Sequence, residues 1–193
     1  MLLLALVACP SEPDDSGPVV TTCEIAEDTG TQIGAIDDIC KCEDPWASIG
    51  TGIEGFEDLD PAGLEMVHGP QGGWHLPAAL RVGNTRNVIR IWAQVTDVET
   101  GVAVTQELNY HVQIVGESAC EGAFPNMYLY LDTRSLDPEL TTGWALSCRE
   151  VHVEMCVTDT GGRDFCTEAE VKVLPDPTDV ASAQAPECES SSS

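Results

Sequence analysis

The stretch Val151-His152-Val153-Glu154-Met155-Cys156-Val157-Thr158-Asp159-Thr160-Gly161-Gly162-Arg163-Asp164-Phe165-Cys166-Thr167-Glu168-Ala169-Glu170-Val171-Lys172-Val173 decides the fold. Val151, Val153, Met155 and Val157 alternate with His152, Glu154, Cys156 and Thr158. After Thr160-Gly161-Gly162, Phe165, Ala169, Val171 and Val173 share one face, and Cys166, Glu168, Glu170 and Lys172 share the other. Alternation with period two marks strands with one buried face, and the glycines between supply turn chemistry. The register that sets Cys156 opposite Cys166 also pairs Val157 with Phe165, Val153 with Ala169, Val151 with Val171 and Glu150 with Lys172. Its one conflict is Glu154 opposite Glu168, a like-charge pair costing a fraction of a kcal/mol. The pattern predicts an antiparallel hairpin closed by a Cys156–Cys166 disulfide.

Working outward, the same period recurs. Leu64, Met66 and His68 alternate with Glu65 and Val67, and Trp74, Leu76, Ala78, Leu80 and Val82 lie opposite His75, Pro77, Ala79 and Arg81. Ile89, Ile91, Ala93 and Val95 form a further apolar face, as do Val102, Val104, Leu108, Tyr110, Val112 and Ile114. Between those two runs, Asp97-Val98-Glu99-Thr100-Gly101 reads as a turn with glycine where φ is positive; a two- or a four-residue loop keeps the faces together. Asn126 to Asp132 reads as another strand. Short strands, frequent turns and no long helical pattern predict an all-β fold, an antiparallel β-sandwich stabilised by disulfides. Within that class the expectation is immunoglobulin-like, without the Cys-Trp-Cys framework of antibody domains.

The chain has 193 residues, with 33 acidic against 8 basic side chains and a formal net charge of −25. Such a field repels phosphate backbones and argues against nucleic acid as a partner, while favouring a cationic or protein partner. Composition divides the chain into a leader over 1–8, an acidic Pro-rich tether over 9–22, an acidic Cys-bearing segment over 23–52 with a short helix near Ile33 to Cys40, a β-sandwich over 53–175, and a low-complexity tail over 176–193.

The leader Met1-Leu2-Leu3-Leu4-Ala5-Leu6-Val7-Ala8 is apolar, and at Cys9 it gives way to a polar stretch. Its length suits a signal-peptide core and falls below the ~20 residues of a membrane span. Leu6-Val7-Ala8-Cys9 resembles the lipobox of exported bacterial lipoproteins. That resemblance implies diacylglycerol on Cys9, removal of the leader, and a membrane partner held through the N-terminal lipid. No Lys or Arg precedes the apolar run, and a start further upstream accounts for this. The remaining cysteines, Cys23, Cys40, Cys42, Cys120, Cys148, Cys156, Cys166 and Cys188, are even in number, as disulfides in an oxidising compartment require. Apart from Cys156 with Cys166, their pairing stays open.

Several groupings invite chemistry. Cys148, His152 and Cys156 are spaced four apart, but on a strand four residues span about 13 Å, too far for one zinc ion. Cys40-Lys41-Cys42 is too tight for a zinc knuckle. Asp58-Leu59-Asp60-Pro61-Ala62-Gly63 resembles the start of an EF-hand loop, yet Ala62 and Gly69 stand where ligands belong. No metal and no cofactor is expected. Val67-His68-Gly69-Pro70-Gln71-Gly72-Gly73-Trp74-His75 resembles segments of exported Gram-negative lipoproteins, a likeness that brings no activity with it. As a binding loop it offers His68, Gln71 and His75; as a plain turn it uses glycine freedom and buries Trp74. A hairpin pairing Met66 with Leu76 puts the two imidazoles on opposite faces.

Nucleophile elbows, phosphate loops and zinc-protease motifs are missing from the sequence. The expected function is a non-catalytic binding or structural module of the cell envelope, outer-membrane-anchored by its lipid. The alternatives are a hydrolase acting through paired carboxylates, for instance on glycans, and a calcium-dependent adhesion module.

Overall fold

The computed structural model describes residues 44–118 and 120–188. Cys9, the leader and tether, the helix expected near Ile33 to Cys40, and Cys23, Cys40 and Cys42 lie outside the described residues. The chain is mostly β and forms two sheets. The elements are β1 (Trp46–Thr51), β2 (Glu57–Asp58), β3 (Leu64–Glu65), β4 (Val67–His68), β5 (Trp74–Gly83), β6 (Val88–Asp97), β7 (Leu108–Gln113), β8 (Val115–Gly116), β9 (Glu121–Tyr130), α1 (Thr142–Leu146), β10 (Glu150–Asp159), β11 (Asp164–Leu174) and α2 (Pro177–Ala181). One sheet runs β2-β1-β5-β9-β8, with β4 also on β5; the other runs β3-β11-β10-β6-β7. The β3–β11 pair is parallel.

β10 is flanked on both edges. Against β11 it takes the register read from the alternation, Cys156 opposite Cys166 and Glu150 opposite Lys172. The two sulfurs are bonded. Its other edge pairs with β6 from Val151 opposite Asp97 to Asp159 opposite Ile89. The like-charged Glu154 and Glu168 do face each other, and His152 Nε2 lies 3.6 Å from Glu168.

The inward faces meet in one apolar cluster. Leu76, Leu80 and Val82 of β5 and Met127 and Leu129 of β9 join Ile89, Ile91 and Val95 of β6 and Val153, Met155 and Val157 of β10. Full burial of each such side chain contributes about 1.5–3 kcal/mol, so this shared core joins the two sheets.

Three features differ from the sequence expectation. The sheet begins at Trp46, inside the 23–52 segment, because Ala47 and Ile49 pair along β5 and Ile49 is buried. The tail beyond 175 is ordered as far as Cys188: Pro177–Ala181 is helical, and Cys148 is disulfide-bonded to Cys188. Cys120 is disulfide-bonded too. Finally, the strand expected at Asn126–Asp132 is β9, which starts at Glu121. Between Ala78 and Leu80 its register shifts, so that Pro125 and Asn126 both lie opposite Ala79. A bulge of this kind accommodates a proline without a ladder hydrogen bond, and Asn126 takes φ of 58° there.

Buried carboxylates close the strand ends. The turn after β6 is the four-residue form: Asp97 N–H donates to the Val102 carbonyl, and Gly101, at φ of 69°, donates to the Asp97 carbonyl. The Asp97 side chain is fully buried. It accepts Arg149 Nε at 2.6 Å and Nη2 at 2.8 Å, and Thr100 adds N–H and O–H donors at 2.9 and 2.6 Å. These bonds, the Arg149 side chain first, outweigh desolvation and hold the carboxyl at about 2. Asp159 closes the β10–β11 turn in the same way, accepting Gly161 N–H at 2.7 Å and Arg163 Nε at 2.9 Å. Burial by itself raises the Asp159 carboxyl, and the hydrogen bonds from Arg163 and Gly161 together bring it below its ordinary value.

Arg149→Ala is expected to destabilise the fold by about 3–5 kcal/mol, the cost of leaving a buried charge without its partner. A carboxyl whose folded value lies below its unfolded one adds stability that is complete above about pH 4 and lost as pH falls through the folded value. The gap between wild type and variant should therefore close as pH approaches about 2. Urea unfolding across that range checks both statements, and a gap independent of pH contradicts them.

Candidate binding site

The β4–β5 connection is a tight turn. Gly69 N–H donates to the Gly73 carbonyl at 2.7 Å, and Gly72 N–H to the Gly69 carbonyl at 2.9 Å. Val67 pairs with His75 and His68 with Trp74. Since opposite residues share a face and neighbours alternate, the two histidines point to opposite sides. Gln71 sits at the exposed tip. The structure therefore does not bring His68, Gln71 and His75 together as one ligand set.

Each histidine has its own surroundings. His75 meets Tyr128 edge-on at 4.5 Å and Tyr130 at 6.0 Å between ring centroids, and burial pushes its imidazole below the usual value. His68 stacks on Trp74 at 4.3 Å with the planes 13° apart. Its Nδ1 lies 2.7 Å from Asp179 Oδ1, and the Trp74 indole N–H donates to Asp179 Oδ2 at 2.5 Å. The His68 backbone N–H donates to Asp176 at 2.7 Å. Trp74 is half-buried and packs against the core.

Both aspartates come from α2. Asp176 is its N-cap, accepting the Thr178 N–H at 2.7 Å, with Pro177 at the first helical position. Burial by itself raises this carboxyl; the His68 and Thr178 hydrogen bonds outweigh it and lower the net value. A short helix thus docks on the turn through two buried carboxylates. Gly143 of α1 completes the enclosure, since a Cβ there would lie 3.0 Å from Asp179 Oδ2 and 3.1 Å from the indole nitrogen.

Beside this cluster lies an open cleft of about 430 Å³, within the 300–1,000 Å³ range of small-molecule sites. Gly72, Gly73 and Trp74 form one wall; Gln106, Leu108, Tyr130, Leu131, Asp132, Arg134 and Thr142 form the rest. Arg134 donates through Nε to Asp132 at 2.8 Å and also through Nη2. This pairing, the side-chain hydrogen bond first, holds the Asp132 carboxyl at about 2. A smaller cavity of about 230 Å³ is lined by Glu99, Asp137, Leu140 and Arg149, among others. There Glu99 pairs with Arg149 at 2.8 Å, and Asp137 accepts the Glu139 N–H at 2.9 Å.

Glu154, Cys156 and Cys166 also lie close together. With both sulfurs in a disulfide, no thiolate is available there to bind a metal. Cys148 and His152 stand apart from them in use, Cys148 being bonded to Cys188.

Sequence reasoning missed Asp176, Asp179, Tyr130, Asp132 and Arg134. Asp176-Pro177-Thr178-Asp179 did carry a signal, an N-cap residue followed by proline. The contacts of Tyr130 and Arg134 come from folding alone.

Asp179→Ala removes the buried acceptor of the Trp74 indole N–H and is expected to destabilise the fold by about 1–3 kcal/mol. Hydrogen exchange at 177–181 should accelerate, because α2 loses its anchor on the turn. Unchanged exchange there contradicts the docking role. No protein-family model matches the chain, and no curated protein matches it.

Proposed function

We propose that this chain is a non-catalytic binding or structural module of the bacterial envelope, an immunoglobulin-like β-sandwich tethered through a lipid on Cys9. The observation that carries the non-catalytic reading is the occupation of its buried carboxylates. Asp97 and Asp159 are bound by arginines, Asp176 by the His68 backbone and Thr178, and Asp179 by His68 and Trp74. General acid or base catalysis needs a carboxyl facing substrate with its proton free to exchange. Asp97, Asp159 and Asp176 are instead held below the ordinary range by donors of their own chain. A paired-carboxylate hydrolase needs two acids across a cleft; among the described residues, the larger of the two cavities has Asp132 alone, bound by Arg134, and in the smaller one Glu99 is paired with Arg149 while Asp137 accepts the Glu139 N–H.

The immunoglobulin-like reading draws support from strand order. The neighbours β1-β5-β9-β8 correspond to strands A-B-E-D, and β11-β10-β6-β7 to G-F-C-C′. The disulfides favour an oxidising compartment, and Leu6-Val7-Ala8-Cys9 supports the anchor. Among the described residues, no helix is long and apolar enough to cross a membrane.

Expressed with its leader in a Gram-negative host, the protein should partition into detergent and carry diacylglycerol on Cys9. Cys9→Ala should release it or leave it uncleaved. An intact mass with an unacylated N-terminus elsewhere overturns the anchor.

Protein purified without chelator should contain zinc, copper and iron well below one per chain. Calcium binding should be weak and suppressed by moderate salt, because the acid excess acts at long range. Tight, salt-resistant calcium uptake that raises Tm contradicts the module reading and favours calcium-dependent adhesion.

A further inference from the structure

We propose that Cys120 is disulfide-bonded to Cys42, which staples the N-terminal segment to one end of the β2-β1-β5-β9-β8 sheet. The bond goes beyond the module reading and holds with or without a lipid anchor. Cys120 lies in the β8–β9 turn, is half-buried and is disulfide-bonded. The other four cysteines among the described residues bond to one another, Cys148 to Cys188 and Cys156 to Cys166. Within the chain, the partner of Cys120 is therefore Cys9, Cys23, Cys40 or Cys42.

Asn84 selects among them. Trp46 pairs with Gly83 and Gly83 with Glu121, so β1, β5 and β9 meet in one row at this end. One residue further, the Asn84 N–H donates to the Cys120 carbonyl at 2.9 Å, and its side-chain amide donates to the Asp44 carbonyl at 3.2 Å. Asn84 is buried with φ of 56°, and its own carbonyl accepts Arg163. One fixed residue thus holds Asp44 and Cys120 to either side of it. Cys42 is two residues before Asp44, a span of at most about 7 Å, and a disulfide sets its Cα atoms about 4.4–6.8 Å apart. Of the four candidates it closes the shortest loop back to Asp44, which costs the least chain entropy. The pairing also leaves Cys23 and Cys40 for each other. Cys23 with Cys120 would instead leave Cys40 and Cys42, separated by Lys41 alone, to close a ring too small for relaxed disulfide geometry. In forming the bond the two thiols give up two protons and two electrons to the disulfide of a thiol oxidant, which leaves as a dithiol. The staple fixes the end from which the module is held. His75 pairs with Tyr130 at the other end of β5 and β9, about 26 Å from Gly83. The β4–β5 turn and the α2 docked on it therefore stand remote from the point of attachment.

The test is tryptic mapping of the full chain, exported with its leader, then denatured and alkylated without reductant. Lys41 is the first lysine or arginine of the chain, so trypsin separates Cys40 from Cys42. The peptide 42–81 should be joined to 91–134, which carries Cys120, and the peptide ending at Lys41 should be joined to neither. Cys120→Ser should expose one new maleimide-reactive thiol, within 42–81. A link between 91–134 and the peptide ending at Lys41 overturns the assignment. So does a free thiol on Cys42 in the wild type, or a new thiol before Lys41 in the Cys120→Ser variant. Acylation of Cys9 is read separately, from the mass of the peptide ending at Lys41, so failure of the anchor leaves the staple standing.

Discussion

The rest of the structure depends on how a strongly acidic chain buries carboxylates without leaving them unpaired. Asp97, Asp159, Asp176 and Asp179 are all buried, in a chain with only 8 lysines and arginines. An ionised carboxylate removed from water needs donors on its oxygens, or it destabilises the fold by several kcal/mol and is driven toward its protonated form. Arg149 answers Asp97 and Arg163 answers Asp159. Where no arginine reaches, backbone amides, a hydroxyl, an indole and an imidazole serve Asp176 and Asp179.

The placement of these groups gives the fold its connections. Asp97 ends β6 and Asp159 ends β10, so their partners tie the turn after each strand to the chain beside it. Arg163 reaches further, donating to the Asn84 carbonyl at 2.7 Å between β5 and β6. Asp176 and Asp179 bind the tail to the β4–β5 turn, and the Cys148–Cys188 bridge holds the same tail from its far end. The apolar core stabilises the sheets, and the carboxylates determine where their ends meet.

Alternation made the strands legible because a half-buried sheet writes period two into the chain. The β10–β11 register followed from several side-chain pairs agreeing at once, and β6 and most of β5 from their apolar faces. The start of β9 was hidden because Gly122 and Pro125 interrupt the pattern, and β1 because Gly50 and Ser48 dilute it. The buried acids were illegible for another reason. In sequence, Asp97 and Asp159 look like ordinary turn residues beside exposed ones; their burial depends on Arg149, 52 residues from Asp97, and on neighbouring strands. The cleft was legible only in its Gly72-Gly73-Trp74 wall, since Tyr130 and Arg134 reach it through the β5–β9 pairing and the segment that follows.

The proposed non-catalytic role rests on the same accounting. A carboxylate held by donors of its own chain stabilises structure and is unavailable for proton transfer, whereas a catalytic acid is held near its working pH. Direct titration of the carboxyl groups separates the two. Side-chain carbon NMR of the folded protein should show Asp97 with a pKa of about 2 and Asp159 and Asp176 below the ordinary aspartate value. A buried aspartate among these three that protonates between about pH 5 and 7 would mark a group poised for acid–base chemistry, and would contradict the account.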